Sequence, residues 1–112
     1  MNTYKWFVYQ FQVNPSLDIL QNVVVKVYWK RQAISEPNGI MYVYEMKGET
    51  DLSAPNPSDF TDFDNLTLEI VVPWLEASLN MTAINNQLDI ELDKLINPIY
   101  PFKPIPWKIS LI

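Results

Sequence analysis

Cysteine and histidine are both absent from this 112-residue sequence. Without cysteine there can be no disulfide framework and no thiolate metal site. Without histidine the chain lacks the commonest general base, the usual zinc ligand and any Ser–His or Cys–His catalytic pair. Its two glycines, Gly39 and Gly48, stand alone, so no glycine-rich phosphate loop is possible. We therefore predict a protein that is not an enzyme and that holds no metal or cofactor.

Basic charge is also scarce, because eight Lys and Arg residues face thirteen Asp and Glu residues, for a net charge of −5. Proteins that hold a nucleic-acid backbone cluster their basic residues, whereas the closest pair here is Lys30 and Arg31. No stretch approaches the roughly 20 apolar residues that span a bilayer, and the N-terminus lacks the features of a signal peptide. We expect a soluble protein, made without export, that binds neither nucleic acid nor membranes.

The first half of the chain is rich in alternating aromatic and β-branched residues, which predict three strands over residues 4–13, 23–33 and 40–46. Turns are predicted at 14–18, around Pro15, and at 36–39. Strict alternation divides the residues of each strand between two sides. One side of the first strand carries Phe7, Tyr9, Phe11 and Val13, and its other side carries Trp6 and Val8. The apolar side of the second carries Val23, Val25, Val27 and Trp29, and that of the third carries Ile40, Tyr42, Tyr44 and Met46.

Two helices are predicted after a loop over residues 47–65. The first covers residues 68–79 with Thr67 as its N-cap, and Pro73 inside it predicts a kink or a late start. The second follows Thr82 as its N-cap and ends at Asn97, before Pro98. Its apolar stripe has helical spacing and comprises Ile84, Leu88, Leu92 and Leu95.

The C-terminal segment holds four prolines within residues 98–106, which exclude a helix and favour an extended rod. Residues 108–112 could add a short edge strand. The predicted fold is therefore α+β, with a three-stranded antiparallel β-meander packed against two C-terminal α-helices and followed by an extended Pro-rich arm. Residues 1–97 form the single domain and residues 98–112 form the arm.

Two polar patterns allow a functional and a structural interpretation. Asp59, Asp62 and Asp64 could contact Ca²⁺, but the sequence lacks the glycine and the distal glutamate of a calcium loop. The favoured interpretation is a solvated acidic turn that leads into a helix N-terminus. Asn65-Leu66-Thr67 and Asn80-Met81-Thr82 match the glycosylation sequon, but both stretches lie where a helix cap is expected, and capping is the favoured interpretation.

Aromatic residues are the strongest candidates for a binding surface, because Tyr and Trp bury large areas with few rotatable bonds. On the strands, either the helices and the tail cover the tyrosines or some of the tyrosines meet another subunit. On the arm, either the aromatic residues lie back on their own domain or they reach a neighbouring subunit. The predicted interface residues are Tyr28, Tyr42, Tyr44, Tyr100, Phe102, Ile105 and Trp107.

The order of several short motifs is also distinctive. These are a Tyr4-Lys5-Trp6 start, Val27-Tyr28-Trp29, a loop over 53–61, Asp64-Asn65-Leu66-Thr67, Trp74 in a helix, the 92–98 stretch and Pro104-Ile105-Pro106-Trp107. Together they resemble a family of small proteins of tailed bacteriophages. The resemblance runs from Tyr4 to Trp107. It implies a phage protein that is part of the virion, and it supplies neither an activity nor catalytic residues.

The resemblance and the composition together predict a virion accessory protein, which could be a capsid decoration, a connector or a tail-associated subunit. Its partners would be capsid or tail subunits, and it would occur as a homo-oligomer or in repeated copies on the particle. It would be made in the host bacterial cytoplasm and reside in the virion. The alternative is an intracellular phage effector that binds and inhibits a host protein.

Overall fold

A computed structural model describes residues 2–55 and 57–107. Three strands come first, β1 (Thr3–Leu17), β2 (Leu20–Ser35) and β3 (Tyr42–Asp51), and they pair antiparallel in that order. Two helices follow, α1 (Leu68–Ser78) and α2 (Met81–Ile96), and both pack on the same face of the sheet. The predicted α+β class, with a three-stranded antiparallel sheet and two C-terminal helices, is confirmed.

The hairpin between β1 and β2 is longer than predicted. Leu17 pairs with Leu20 across a two-residue turn, in which Asp18 has a φ of 53°. The predicted turn over residues 14–18 is wrong, because Pro15 lies inside β1. Since β1 is an edge strand, a proline there can face its missing N–H away from the ladder.

β3 is shifted towards the C-terminus relative to the prediction. It begins at Tyr42, and Ile40 lies outside it, after a short 3₁₀ turn. Its pairing with β2 runs from Ser35 opposite Tyr42 to Lys26 opposite Asp51. Beyond Lys26 the ladder between β1 and β2 continues without a third strand, so the hairpin ends in a two-stranded tip.

Two β-bulges change which residues face the helices. The β1 register passes from Val8 to Gln10 without pairing Tyr9, and the β2 register skips Val25. An extra residue in one strand reverses the alternation beyond it. Phe11 therefore packs on the helix side, although strict alternation placed it with Phe7 and Tyr9. In the same way Val25 is exposed, whereas its neighbours Val23 and Val24 are buried.

The core lies between the sheet and the helices in two adjoining clusters. The first is centred on the middle of β2 and on α1, and its buried residues are Val24, Val27, Trp29, Val71 and Leu75. The second joins the end of β2 to α2, and its buried residues are Ala33, Leu88 and Leu92. The predicted helical stripe is confirmed at Leu88 and Leu92, whereas Leu95 is exposed.

Trp29 fixes the centre of the first cluster. Its indole N–H donates to the Thr50 hydroxyl at 2.9 Å, and the Trp6 ring meets it edge to face at 5.3 Å between centroids. The indole lies directly over Gly48 of β3, where an added Cβ would collide with the ring. Glycine at this position is therefore required by the close approach of an aromatic side chain from the neighbouring strand.

Helix α1 begins immediately after Thr67, as predicted, although the Thr67 side chain makes no capping hydrogen bond. The helix continues through Pro73 to Ser78, so the predicted late start is wrong. Pro73 is exposed and cannot donate the usual hydrogen bond to the carbonyl four residues earlier. The apolar pattern that crosses it, with Val71 and Leu75 fully buried, compensates for that loss.

Helix α2 starts two residues earlier than its predicted cap implied. Asn80 is the N-cap, and its side-chain oxygen accepts from the Ala83 backbone N–H at 3.0 Å. The prediction of Thr82 as the cap is therefore wrong, although the sequon that begins at Asn80 does lie at the start of the helix. The helix ends at Ile96 with Asn97 as its C-cap, as the following proline predicts.

The segment after Asn97 has neither helix nor strand over residues 98–107. Residues 108–112, including the predicted short edge strand, lie outside the described residues. That residues 98–112 form an extended arm stays a prediction.

Candidate protein–protein interface

The face of the sheet opposite the helices, called the open face below, carries the first candidate surface. Tyr28 lies there beside Tyr9, with their ring centroids 6.3 Å apart. Phe7 is two residues before Tyr9 on β1 and pairs with Lys30 of β2. Lys30 places its ammonium 5.4 Å from the centre of the Phe7 ring and 3.4 Å from a carboxylate oxygen of Glu45. This face is therefore aromatic along β1 and charged along β3.

A second ion-pair group continues the charged side of that face. The Lys26 ammonium lies 3.5 Å from Asp51 and 3.8 Å from Glu49. The negative charge of Asp51, and then that of Glu49, raises the pKa of Lys26 above its ordinary value. Pairs this exposed contribute little to stability, and they keep the β3 side of the open face hydrated.

The other two strand tyrosines lie on the opposite face. Tyr42 and Tyr44 pack against the cluster formed by Ala33, Leu88 and Leu92, and both are half-buried. The structure therefore does not bring the three predicted strand tyrosines together. Tyr28 belongs to the open face, whereas contacts within the chain account for the position of Tyr42 and Tyr44.

Arg31 is a residue that the sequence reasoning missed, because it was considered only as half of a basic pair with Lys30. It is buried on the helix side, in register with Val27 and Trp29. Alternation along β2 could have indicated this position. Its Nε donates to Asn85 of α2 at 2.9 Å.

Two aromatic rings flank the Arg31 guanidinium, at 4.6 Å from the centre of Trp6 and 5.1 Å from that of Tyr4. Burial lowers the pKa of Arg31 from its ordinary value, and the negative charge of Glu76 partly opposes this. Cation–π contacts with a desolvated guanidinium stabilise the charge that the sheet has buried. Arg31 therefore joins β1, β2 and α2.

Asp89 of α2 accepts two hydrogen bonds from the start of the chain. The Tyr4 hydroxyl and the Asn2 side-chain amide each donate to the same carboxylate oxygen at 2.7 Å. The hydrogen bond to Asp89 is the main reason that the pKa of Tyr4 lies above its ordinary value. This contact attaches the first residues of β1 to α2, away from the open face.

A cleft of about 400 Å³ opens near the base of the two-stranded tip. It lies between β2, the loop after β3 and α1, and its walls are mostly apolar. Of the residues that line it, Asp59 alone carries a charge. Its lining includes Val24, Pro55, Phe60, Leu66, Trp74 and Ala77.

The acidic loop does not form a metal site in the described part of the chain. No three acidic, histidine or cysteine side chains there are close enough together to hold an ion. The structure thus brings no support for the calcium alternative at Asp59, Asp62 and Asp64. Asp59 instead contributes to the cleft.

The predicted arm residues are the most exposed of the candidates. Tyr100 is 89% exposed and Phe102 is 98% exposed. Trp107 is 68% exposed, and Ile105 is covered to about half of its surface. The Tyr100 and Phe102 rings therefore make little contact with the domain.

No helix within residues 2–55 and 57–107 is long and apolar enough to cross a membrane.

Comparison with known proteins gives one match. The model of a family described as a domain of unknown function, DUF7936, matches residues 1–107. No curated protein and no solved structure matches the chain.

Proposed function

Because the chain belongs to the DUF7936 family, a domain of unknown function, we propose its function from its surfaces. The chain is a phage virion accessory protein that acts by assembly with other protein subunits. It serves as a capsid decoration, a connector or a tail-associated subunit, and it occurs in repeated copies. The motif order shared with small proteins of tailed bacteriophages supports the phage assignment.

The observation that carries the proposal is the exposure of large apolar side chains at the end of the domain. Tyr100 and Phe102 expose nearly their whole surface to water, although burial of such rings is strongly favourable. Rings of this kind, presented on a proline-rich segment, lose little conformational entropy when they dock on a partner. They are suited to anchor the chain to a subunit of the particle.

The open sheet face supports the same proposal with a second surface. Phe7, Tyr9 and Tyr28 form an aromatic stripe along the β1 side, and charged pairs flank it along β3. An apolar centre with a charged rim is the usual arrangement of a protein–protein interface. Tyr28 is therefore the strand residue that we assign to subunit contact.

The test uses the full-length chain produced during phage infection. The double variant Tyr100→Ala with Phe102→Ala should leave the fold unchanged and remove the chain from purified particles. The matched control is Ile19→Ala, which truncates an equally exposed apolar residue at the hairpin turn. The control should join particles at the level of the unaltered chain. Full incorporation of the double variant would contradict the role of the arm residues.

A further inference from the structure

The cleft and the segment after α2 have complementary chemistry. Residues 98–104 contain two overlapping P-x-x-P sequences, which share Pro101 and enclose Tyr100 and Phe102. Proline-rich segments of this spacing dock in grooves lined with aromatic side chains, because their backbone is already close to the bound shape. The cleft offers Phe60 and Trp74 as such a lining.

The charges of the two partners also match. Asp59 is the one charged residue among those that line the cleft, and Lys103 is the one charged residue among residues 98–107. Lys103 lies directly after Phe102, so a ring seated between the apolar walls would place the ammonium near the rim. A lysine beside an acidic rim residue adds orientation to an apolar contact.

In this structure the rings of one chain lie outside its own cleft, since neither Tyr100 nor Phe102 lines the cleft and both are almost fully exposed. Ile96, the last residue of α2, packs against the cluster at Ala33, while Val24 of the same strand lines the cleft. Nine residues of β-strand separate Ala33 from Val24, or about 30 Å. Six residues separate Ile96 from Phe102, which an extended proline-rich chain spans in about 19 Å. Tyr100 is closer still to Ile96.

We propose that residues 98–104 of one copy dock in the cleft of a second copy. Phe102 or Tyr100 enters between Phe60 and Trp74, and Lys103 lies beside Asp59. This inference rests on the proposed function, since it names the partner of the arm residues. It explains why a mostly apolar cleft and nearly fully exposed rings coexist in one chain.

The first test is self-association of the purified full-length chain, measured by sedimentation velocity over a range of concentrations. The unaltered chain should associate reversibly. Phe102→Ala should weaken the association about thirtyfold, as the loss of an aromatic anchor does. Ala77→Trp should also weaken it, because the new indole fills the cleft from α1. The matched control is Ala83→Trp, which adds the same bulk to the exposed surface of α2 and should have no effect.

The second test separates exchange between copies from any contact within one. Asp59→Lys and Lys103→Asp should each weaken self-association about tenfold. In a dimer whose two copies exchange arms, either substitution turns both arm–cleft contacts from attractive into repulsive ones. An equal mixture of the two variants should associate as tightly as the unaltered chain, because each arm then meets a cleft of opposite charge. Both residues are exposed, so the fold is not at risk.

A mixture that associates no better than its components, or an unaltered chain that stays monomeric, would overturn the inference. Equal effects of Ala77→Trp and Ala83→Trp would do the same. None of these results bears on whether the chain is present in particles. Conversely, absence from particles together with restored association in the mixture would overturn the proposed function and leave the arm exchange intact.

Discussion

Large apolar side chains have opposite surroundings in two regions of this chain. In the domain, Leu75 and Leu88 are completely buried between the helices and the sheet. After α2, Tyr100 and Phe102 are almost completely exposed. Burial of apolar area is the main favourable contribution to folding, so the first pair stabilises the domain and the second does not. The difference separates the residues that make the fold from those left for a partner.

The largest expected effect tests this separation directly. Leu88→Ala should lower the free energy of unfolding by about 2–5 kcal/mol, because it leaves a cavity under α2. Phe102→Ala, which removes a larger side chain, should change it by less than about 0.5 kcal/mol. Urea denaturation followed by circular dichroism measures both. A loss of stability in Phe102→Ala that approaches that of Leu88→Ala would place the ring in the core and abolish the distinction.

A second substitution tests how tightly the domain side is packed. Gly48→Ala puts a methyl group against the Trp29 indole and should cost about 1–3 kcal/mol of unfolding free energy as the ring is displaced. Lys47→Ala, at the exposed neighbouring position of β3, is the control and should stay within about 0.5 kcal/mol. Tryptophan fluorescence during denaturation reports both values. Equal stability of the two variants would show that the contact is loose.

A reciprocal exchange compares the two faces of β2. Arg31→Lys should lower the free energy of unfolding by about 1–2 kcal/mol, because lysine cannot stack flat against Tyr4 and Trp6 or replace the Nε contact to Asn85. Lys30→Arg, one residue away on the open face, should have almost no effect. Thermal and urea denaturation measure the difference. An unchanged free energy of unfolding in Arg31→Lys would show that the guanidinium does not stabilise the core.

The smallest effect concerns pH. The hydrogen bond to Asp89 raises the pKa of Tyr4 from 10.0, so the folded state favours the neutral phenol. The contribution is complete below pH 10 and is lost as the pH rises through the folded-state pKa. Urea midpoints measured from pH 8 to 11 should therefore fall less steeply in Tyr4→Phe than in the unaltered chain. Asp89→Asn should give the same flattening, and an unchanged slope in both variants would contradict the contact.

The order of elements followed from the sequence because its local patterns were consistent. β-branched and aromatic runs gave three strands, and the spacing of Leu88 and Leu92 gave the face of α2. The predictions that were wrong concern positions that tertiary contacts determine. The bulges at Tyr9 and Val25 reverse the alternation, and no residue type at those sites signals an extra residue in the ladder.

The candidate surfaces were predicted only in part, for a similar reason. Tyr28, Tyr42 and Tyr44 look alike in sequence, but antiparallel pairing puts Tyr28 on the open face and the other two under α2. The cleft could not be predicted, since it joins β2, a loop and α1. Arg31 was missed because a charged residue is expected at the surface unless its register is followed along the strand.

We propose that this chain is a repeated structural part of a virion. The most direct test of this proposal is quantitative mass spectrometry of gradient-purified phage particles, counting this chain against the major capsid protein. We expect a fixed ratio that matches a symmetric position on the head, neck or tail. Absence of the chain from clean particles that contain every other structural protein would contradict it, and would favour an effector that acts inside the infected cell.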